Sequence, residues 1–226
     1  NLTDLQDGTT YYFRAYAVNE KGTAYGEEVS LTTLKVGEPI DLGLSVKWAT
    51  MNEGANNPED YGDYFAWGET STKSTYNWST YKWCNGSSST LTKYNTRSSD
   101  GTVDNKTQLE LSDDAVRANW GGSWRMPTDA ELTELREQCT WTWTTQNGIN
   151  GCKVTSKKNG NSIFLPAAGW RNGTSLSTQG TYGNYWSSTP YESYDFGAYG
   201  LYFGSSSLNV SWYSRDNARS VRPVSE

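Results

Sequence analysis

Short runs of β-forming residues, separated by turn residues, fill most of this chain, and only one segment has a clear helix signature. In that segment, 128–139, Thr128 and Glu131 have the spacing of a capping box, in which each side chain satisfies a free N–H group where the helix begins. The apolar residues that follow share one face of a helix: Leu132, Leu135 and Cys139. We therefore predict a helix here.

The remaining pattern indicates strands and one shorter helix. Acidic residues at the start of 112–118 favour that helix. Asn147-Gly148 is a two-residue hairpin signal. Strands are predicted at 11–18, 23–33, 141–145, 152–155, 163–169, around Trp186, at 201–203 and at 220–224. The predicted fold class is α+β, with one or two helices against antiparallel sheet and much ordered loop.

Aromatic residues are frequent although the chain is polar. The 226 residues include 11 Trp and 16 Tyr, and disordered chains lack such residues, so the chain is folded. The net charge is -6 without any basic run, which argues against binding along the phosphates of a nucleic acid. No apolar stretch approaches the roughly 18 residues that span a bilayer, so we expect no membrane insertion of this piece.

The first 34 residues look like the end of another module. Leu5, the run 8–12, the run 15–19 and Gly22 resemble the last two strands of a fibronectin type III domain. The other strands of such a domain are missing, so we expect a piece of a longer extracellular chain. The predicted organisation is a hairpin at 1–34, a linker at 35–39 and a ligand-binding domain at 40–226.

The residue types argue against an enzyme. The chain has no histidine, which removes Ser-His-Asp and Cys-His catalysis and all imidazole metal sites. The adjacent carboxylates Glu59-Asp60 and Asp113-Asp114 are interpreted as solvated or helix-start acids. No cofactor is expected. A calcium site is the alternative, because four carboxylates could supply oxygen ligands: Asp63, Glu69, Asp113 and Asp114.

Three cysteines leave at least one thiol unpaired in a monomer. Cys139 and Cys152 could bridge the helix end to the hairpin after it. A two-residue turn at Asn147-Gly148 would instead place Cys152 opposite Trp143. The alternative is that Cys84, like the other two, is a small buried apolar residue.

The C-terminal segment has the composition of a binding surface. Tyr, Ser, Gly and Asn dominate 181–217, and these residue types give antibody paratopes large contact area with adaptable hydrogen bonds. Trp186, Leu201 and Phe203, with Val221 and Pro223, are predicted scaffold. The predicted ligand-binding residues are Asn184, Tyr191, Tyr194, Asp195, Phe196, Tyr202, Asn209, Trp212, Tyr213 and Asn217.

Several stretches resemble a known family of surface proteins. They are 41–49, 61–69, 121–128, 164–169, 185–188 and 220–224. Together they resemble the Fibrobacter succinogenes major paralogous domain family of Bacteroidetes surface proteins. This resemblance implies a C-type-lectin-like fold for 40–226 and display on lipoproteins or pilus tips.

The tail also resembles the variable regions of proteins diversified by retroelements, which mutate adenines in asparagine codons. Tyr, Ser, Asp, Gly and Phe arise in this way, and they fill 182–217. Glu192 and Trp212 depart from the pattern, because neither arises from an asparagine codon.

These observations predict a non-enzymatic adhesin at the cell surface, anchored to the outer membrane or carried by a pilus. Its partner would be a protein or glycan on another cell or surface, bound through 182–217. The alternative is a carbohydrate-binding module with tryptophan platforms at Trp78, Trp83 or Trp170. Trp120 and Trp124 are interpreted as a core corner, with a sugar platform as the other possibility.

Overall fold

The computed structural model describes residues 9–32 and 37–226. The chain divides into two compact units, Asn1–Val36 and Gly37–Glu226. Parts of the predicted hairpin and linker, namely 1–8, 33–34 and 35–36, lie outside the described residues.

The first unit contains a β-hairpin. Strand β1 (Thr10–Asn19) pairs antiparallel with β2 (Gly22–Thr32), and Asn19 opposite Gly22 closes the turn. The strands predicted at 11–18 and 23–33 are confirmed over the described residues. Tyr12 and Tyr16 are 68% and 70% exposed on this hairpin.

The described residues of the second unit form four small antiparallel sheets and two short helices. The helices are α1 (Ala115–Trp120), preceded by a 3-10 turn at Leu111–Asp113, and α2 (Asp129–Gln138). The strands are β3 (Pro39–Ile40), β4 (Lys47–Ala49), β5 (Phe65–Ala66), β6 (Cys139–Gln146), β7 (Ile149–Ser156), β8 (Ser162–Pro166), β9 (Trp170–Asn172), β10 (Ser175–Ser177), β11 (Gly183–Pro190), β12 (Gly197–Phe203), β13 (Leu208–Ser214), β14 (Ala218–Arg219) and β15 (Val224–Ser225). Their orders are β15-β4-β3, β6-β7-β8, β10-β9-β14-β5 and β11-β12-β13.

The predicted helix at 128–139 is confirmed as α2. The Thr128 side chain accepts a hydrogen bond from the N–H of Glu131, and the Glu131 side chain accepts one from the N–H of Thr128. Leu132 and Leu135 are buried, as the apolar stripe predicts. Asp114 caps α1 by accepting from the N–H of Arg117.

The hairpin at Asn147-Gly148 is also confirmed. Both residues have positive φ, as this tight turn requires. Strands β6 and β7 therefore pair with Trp143 opposite Cys152. Cys139 lies opposite Ser156, and all three cysteines are free, so the possible bridge is not formed. Burial raises the pKa of Cys139 to about 11 and of Cys152 to about 12.

Three clusters of buried side chains form the interior. The first packs α2 against β6, β7, β8 and the sheet β11-β12-β13, through residues such as Leu132, Leu135, Val154, Leu201 and Phe203. The second contains Phe65, Trp67, Val116, Trp186 and Val221. The third contains Tyr64, Tyr76, Tyr81, Leu91 and Ala218.

The predicted α+β, C-type-lectin-like fold is wrong for this structure. Strand residues make up 41% and helical residues 9% of the described part of the chain, which forms several small sheets. Helix α2 has only 10 residues and α1 has 6, so they cannot form a helical layer. The predicted strand at 220–224 is also wrong: of these residues only Val224 lies in a strand, β15, and Ser220 forms an isolated bridge with Tyr185.

In the described part of the chain, no helix has the length and apolar character needed to cross a bilayer.

Candidate functional site

The sheet β11-β12-β13 carries most of the predicted binding residues. Its side chains alternate between two faces. Leu201 and Phe203 of β12 point to the face that packs on α2. Trp186 and Ala198 belong to the opposite face and to the second core cluster. Both faces are thus partly buried, and the free surface lies at the sheet's end and along its edge strand β13.

Five aromatic rings meet at one end of this sheet, and we call them the aromatic cluster: Tyr191, Tyr194, Phe196, Tyr199 and Trp212. The Tyr191 ring stacks on Trp212 with centroids 5.6 Å apart and planes 15° apart. It also meets Tyr199 edge-on at 5.2 Å. Tyr194 stacks on Phe196 at 5.4 Å and lies 5.5 Å from Trp212. Contacts of this geometry stabilise one another and hold the rings in place.

Part of the aromatic cluster faces solvent. Tyr194 is 44% exposed and Trp212 is 36% exposed, although both are large apolar side chains. The rings of the two residues are in contact, so their exposed surfaces form one patch. Adjoining exposed aromatic surface of this kind marks interaction sites more often than isolated exposed residues do.

The loop 191–196, which carries three of the five rings of the aromatic cluster, is tied to the rest of the unit. Asp195 is buried and accepts hydrogen bonds from the N–H of Thr96 at 2.9 Å and from its hydroxyl at 3.0 Å. The Tyr199 hydroxyl donates to the Glu192 carboxylate at 2.9 Å. Burial and this hydrogen bond raise the pKa of Tyr199 to about 12. The loop is therefore an ordered support for the rings.

A second feature is a recess of about 520 Å³ beside β13, bounded in part by Trp170, Tyr202 and Tyr213. Asn184 and Asn217 also line it, as does the buried Arg219. Burial lowers the pKa of Arg219 to about 9, while Tyr213 and Asp216 act in the opposite direction. The guanidinium thus stays cationic at neutral pH.

The structure divides the ten predicted site residues into four groups. Tyr191, Tyr194, Phe196 and Trp212 form the aromatic cluster, and Trp212 also borders the recess. Asn184, Tyr202, Tyr213 and Asn217 line the recess. Asp195 is a buried anchor of the loop, and Asn209 is exposed on β13 and lies in neither feature.

Tyr199 and Arg219 belong to the site but are not among the residues predicted from the sequence. Tyr199 could have been found from its alternation with Leu201 and Phe203 along one strand. Arg219 had no comparable signal, because the burial of an arginine depends on the packing of distant segments.

The predicted sugar platforms are partly covered. Two lysine ammonium groups, of Lys82 and Lys93, lie 4.2 and 4.5 Å from the Trp83 ring centre. Trp78 meets Tyr81 edge-on at 5.5 Å. Trp170 alone of the three borders the recess.

The tryptophans of the predicted core corner, Trp120 and Trp124, also pack edge-on, at 5.2 Å, beside the second core cluster. Arg125 next to them is ion-paired with Glu131 at 2.7 Å. Trp120 and Trp124 are therefore packed side chains and do not form an open platform for a sugar.

Three of the four carboxylates considered for calcium have protein partners: Glu69, Asp113 and Asp114, which accepts from the N–H groups of Arg117 and Met126. Glu69 accepts from Lys73 and from the N–H of Lys82, both at 2.8 Å. Asp113 accepts from Lys93 and from Tyr94. Among residues 9–32 and 37–226, no three His, Cys, Asp or Glu side chains are grouped so as to hold a metal ion.

Comparison with known proteins gives one match. Residues 141–224 match a domain of unknown function, DUF8237. The match covers less than half of the chain. No curated protein and no solved structure matches the chain.

The DUF8237 match contains both features of the site. It begins in β6 and ends in β15, so it includes the sheet β11-β12-β13, the aromatic cluster and every residue named above for the recess. It excludes α2, which packs on that sheet.

Proposed function

We propose that this chain is a non-enzymatic binding module of a cell-surface or pilus-tip adhesin, and that the aromatic cluster holds a protein partner. The observation that carries the proposal is the exposed contact between Tyr194 and Trp212. Display at the cell surface is supported only by the resemblance of its sequence stretches to Bacteroidetes surface proteins.

The chemistry of the cluster suits a protein interface. Tyrosine and tryptophan supply large contact areas with few rotatable bonds, and they dominate the energy of many interfaces. Stacking of Tyr191 on Trp212, and of Tyr194 on Phe196, fixes the rings before binding. Pre-ordered side chains lose less conformational entropy when a partner binds.

The same geometry supports a diversified surface. Tyr194 and Asn209 are exposed, so other side chains fit there without changing the core. The two residues that depart from the asparagine-codon pattern have fixed contacts. Glu192 accepts from Tyr199, and Trp212 stacks on Tyr191. We infer that these two are constant positions among variable ones.

The test is a cell-binding titration with the labelled full chain and a variant, Tyr191→Ala/Tyr194→Ala. Cells are a panel of bacteria and epithelial cells, each measured before and after protease treatment. We expect saturable binding that protease abolishes. We expect at least a loss of about thirtyfold in affinity in the variant, because the loss of even one anchor costs about 2 kcal/mol.

The matched control is Tyr12→Ala/Tyr16→Ala, which removes two exposed tyrosines from the first unit. It should bind like the wild type. Thermal unfolding of both variants should stay close to that of the wild type. Equal binding by the Tyr191→Ala/Tyr194→Ala variant and the wild type would contradict the proposal, and loss of binding after glycosidase but not protease treatment would point to a glycan.

A further inference from the structure

Three arginines near the C terminus are almost fully buried, but their hydrogen bonds differ. Arg222 donates to Asn52 Oδ1 and to the carbonyl oxygens of Ala49 and Phe164, at 2.8 to 3.0 Å. Arg215 donates to two backbone carbonyl oxygens through Nε and Nη1, and its Nη2 has no partner among the described residues. In the described part of the chain, Nε and Nη1 of Arg219 have no hydrogen-bond partner.

Aromatic rings cover the faces of the Arg219 guanidinium. Its central carbon lies 4.1 Å from the Tyr213 ring centre and 4.5 Å from that of Trp186. Such contacts stabilise the charge but leave the N–H donors at the edge of the plane unsatisfied. Asp216 raises the pKa of Arg219 through its charge, and the Asp216 carboxylate accepts from the Ser214 hydroxyl.

Two amides on the same recess also have unpaired atoms. Asn184 is 3% exposed, and its Nδ2 has no partner among the residues that the structure describes. Oδ1 of Asn217 also has no hydrogen-bond partner among these residues. Buried polar atoms are nearly always hydrogen-bonded, so three such side chains on one recess need a common explanation.

We infer that the recess is a binding site for a carboxylate carried on a ring that stacks on aromatic side chains, as in an aromatic acid or a hexuronic acid. The carboxylate accepts from Arg219 and Asn184, and a hydroxyl or N–H of the ligand donates to Asn217. Trp170, Tyr202 and Tyr213 supply the ring surfaces. This site goes beyond the proposed function, because it takes a small ligand and does not depend on the partner of the aromatic cluster.

The test is an NMR titration of the full ¹⁵N-labelled chain, following the Nε–Hε signal of Arg219. The probes are two matched pairs: indole-3-acetate with indole-3-acetamide, and D-glucuronate with D-glucose. We expect a saturable shift with at least one acid, and at least about tenfold weaker binding of its neutral partner, because charge-assisted hydrogen bonds are lost. The pair that responds identifies the ring.

The variant is Asn217→Ala, with Asn209→Ala as control on the same sheet. Both keep Arg219, so its Nε–Hε signal reports binding in each of them. We expect Asn217→Ala to weaken binding of the acid severalfold and Asn209→Ala to leave it unchanged. The inference is overturned if neither acid binds saturably, if neutral and charged probes bind equally, or if Asn217→Ala binds like Asn209→Ala.

The single variant Tyr194→Ala separates this site from the proposed function. Tyr194 belongs to the aromatic cluster and does not itself line the recess, so the variant should bind the acid normally. Cell binding without acid binding would refute the recess site alone, and acid binding without cell binding would refute the adhesin alone.

Discussion

Glu53 is a buried carboxyl group with an incomplete set of hydrogen bonds. Its Oε1 accepts from Asn119 Nδ2 at 2.8 Å, and its Oε2 has no partner among residues 9–32 and 37–226. Burial raises its pKa from 4.5 to about 7, the Asn119 hydrogen bond opposes this, and the charge of Asp63 adds to it. At neutral pH the group is therefore close to half-protonated.

This pKa predicts a loss of stability as the pH rises. Below pH 4.5 Glu53 is protonated in both the folded and the unfolded chain. Between 4.5 and about 7 only the unfolded chain ionises, so the free energy of unfolding falls until the folded pKa is passed. Glu53→Gln removes this effect. Relative to the wild type, its free energy of unfolding should therefore rise by about 3 kcal/mol between pH 4.5 and pH 8, at 1.36 kcal/mol per pKa unit.

Urea unfolding of both proteins at pH 5, 6, 7 and 8 measures the difference. Glu38→Gln, at an exposed position of the same unit, is the control and should track the wild type. A constant difference between Glu53→Gln and the wild type over this range would show that Glu53 ionises normally in the folded protein.

At the scale of the element, the capping box of α2 makes a contribution to the free energy of unfolding that can be measured by itself. The Thr128 hydroxyl accepts the N–H of Glu131, and this side chain–backbone bond starts a helix of only 10 residues. Thr128→Ala should lower the free energy of unfolding by about 1 kcal/mol, whereas Thr128→Ser should cost only a few tenths, because serine also caps. Urea unfolding at pH 7 checks both, and equal losses would mean that the cap contributes nothing.

Elements with local signals were predictable from the sequence, and elements defined by distant contacts were not. The Thr128 capping box and the Asn147-Gly148 turn each depend on neighbours in the chain, and both are confirmed. Strand β13 was missed because its Asn and Ser residues favour loops. It exists because it pairs with β12, for instance Trp212 with Tyr199. The fold class failed for the same reason, since the division into several small sheets follows from long-range pairing.

The candidate site shows the same limit. Composition alone selected Tyr191, Tyr194 and Trp212, which do meet in space. It also selected Asp195, which is buried and ties the loop 191–196 to Thr96 by accepting a hydrogen bond from its N–H. Tyr, Ser and Asn mark a surface-rich segment, but they do not show which members face inward. Contacts between the tail and residues near 95 decide that.

At the scale of the whole molecule, the last residues hold the second unit together. Strand β15 pairs with β4, so the two ends of the unit lie in one sheet. Arg222 adds three hydrogen bonds that join Ala49, Asn52 and Phe164. Segments more than a hundred residues apart thus share one buried cation, which is a reason to expect cooperative unfolding of the unit.

This role predicts unequal costs for removing two buried arginines, Arg222 and Arg219. Arg222→Met leaves three buried acceptors without a donor and should cost about 3 kcal/mol or more. Arg219→Met breaks no hydrogen bond within the described protein. It loses the ring contacts and the attraction of Asp216, but it also removes a buried charge, so its net cost should stay at about 1 kcal/mol. Urea unfolding of both variants at pH 7 measures the difference. If Arg219→Met cost as much as Arg222→Met, Arg219 would be a structural tie of the fold, and its free donors would no longer argue for a ligand in the recess.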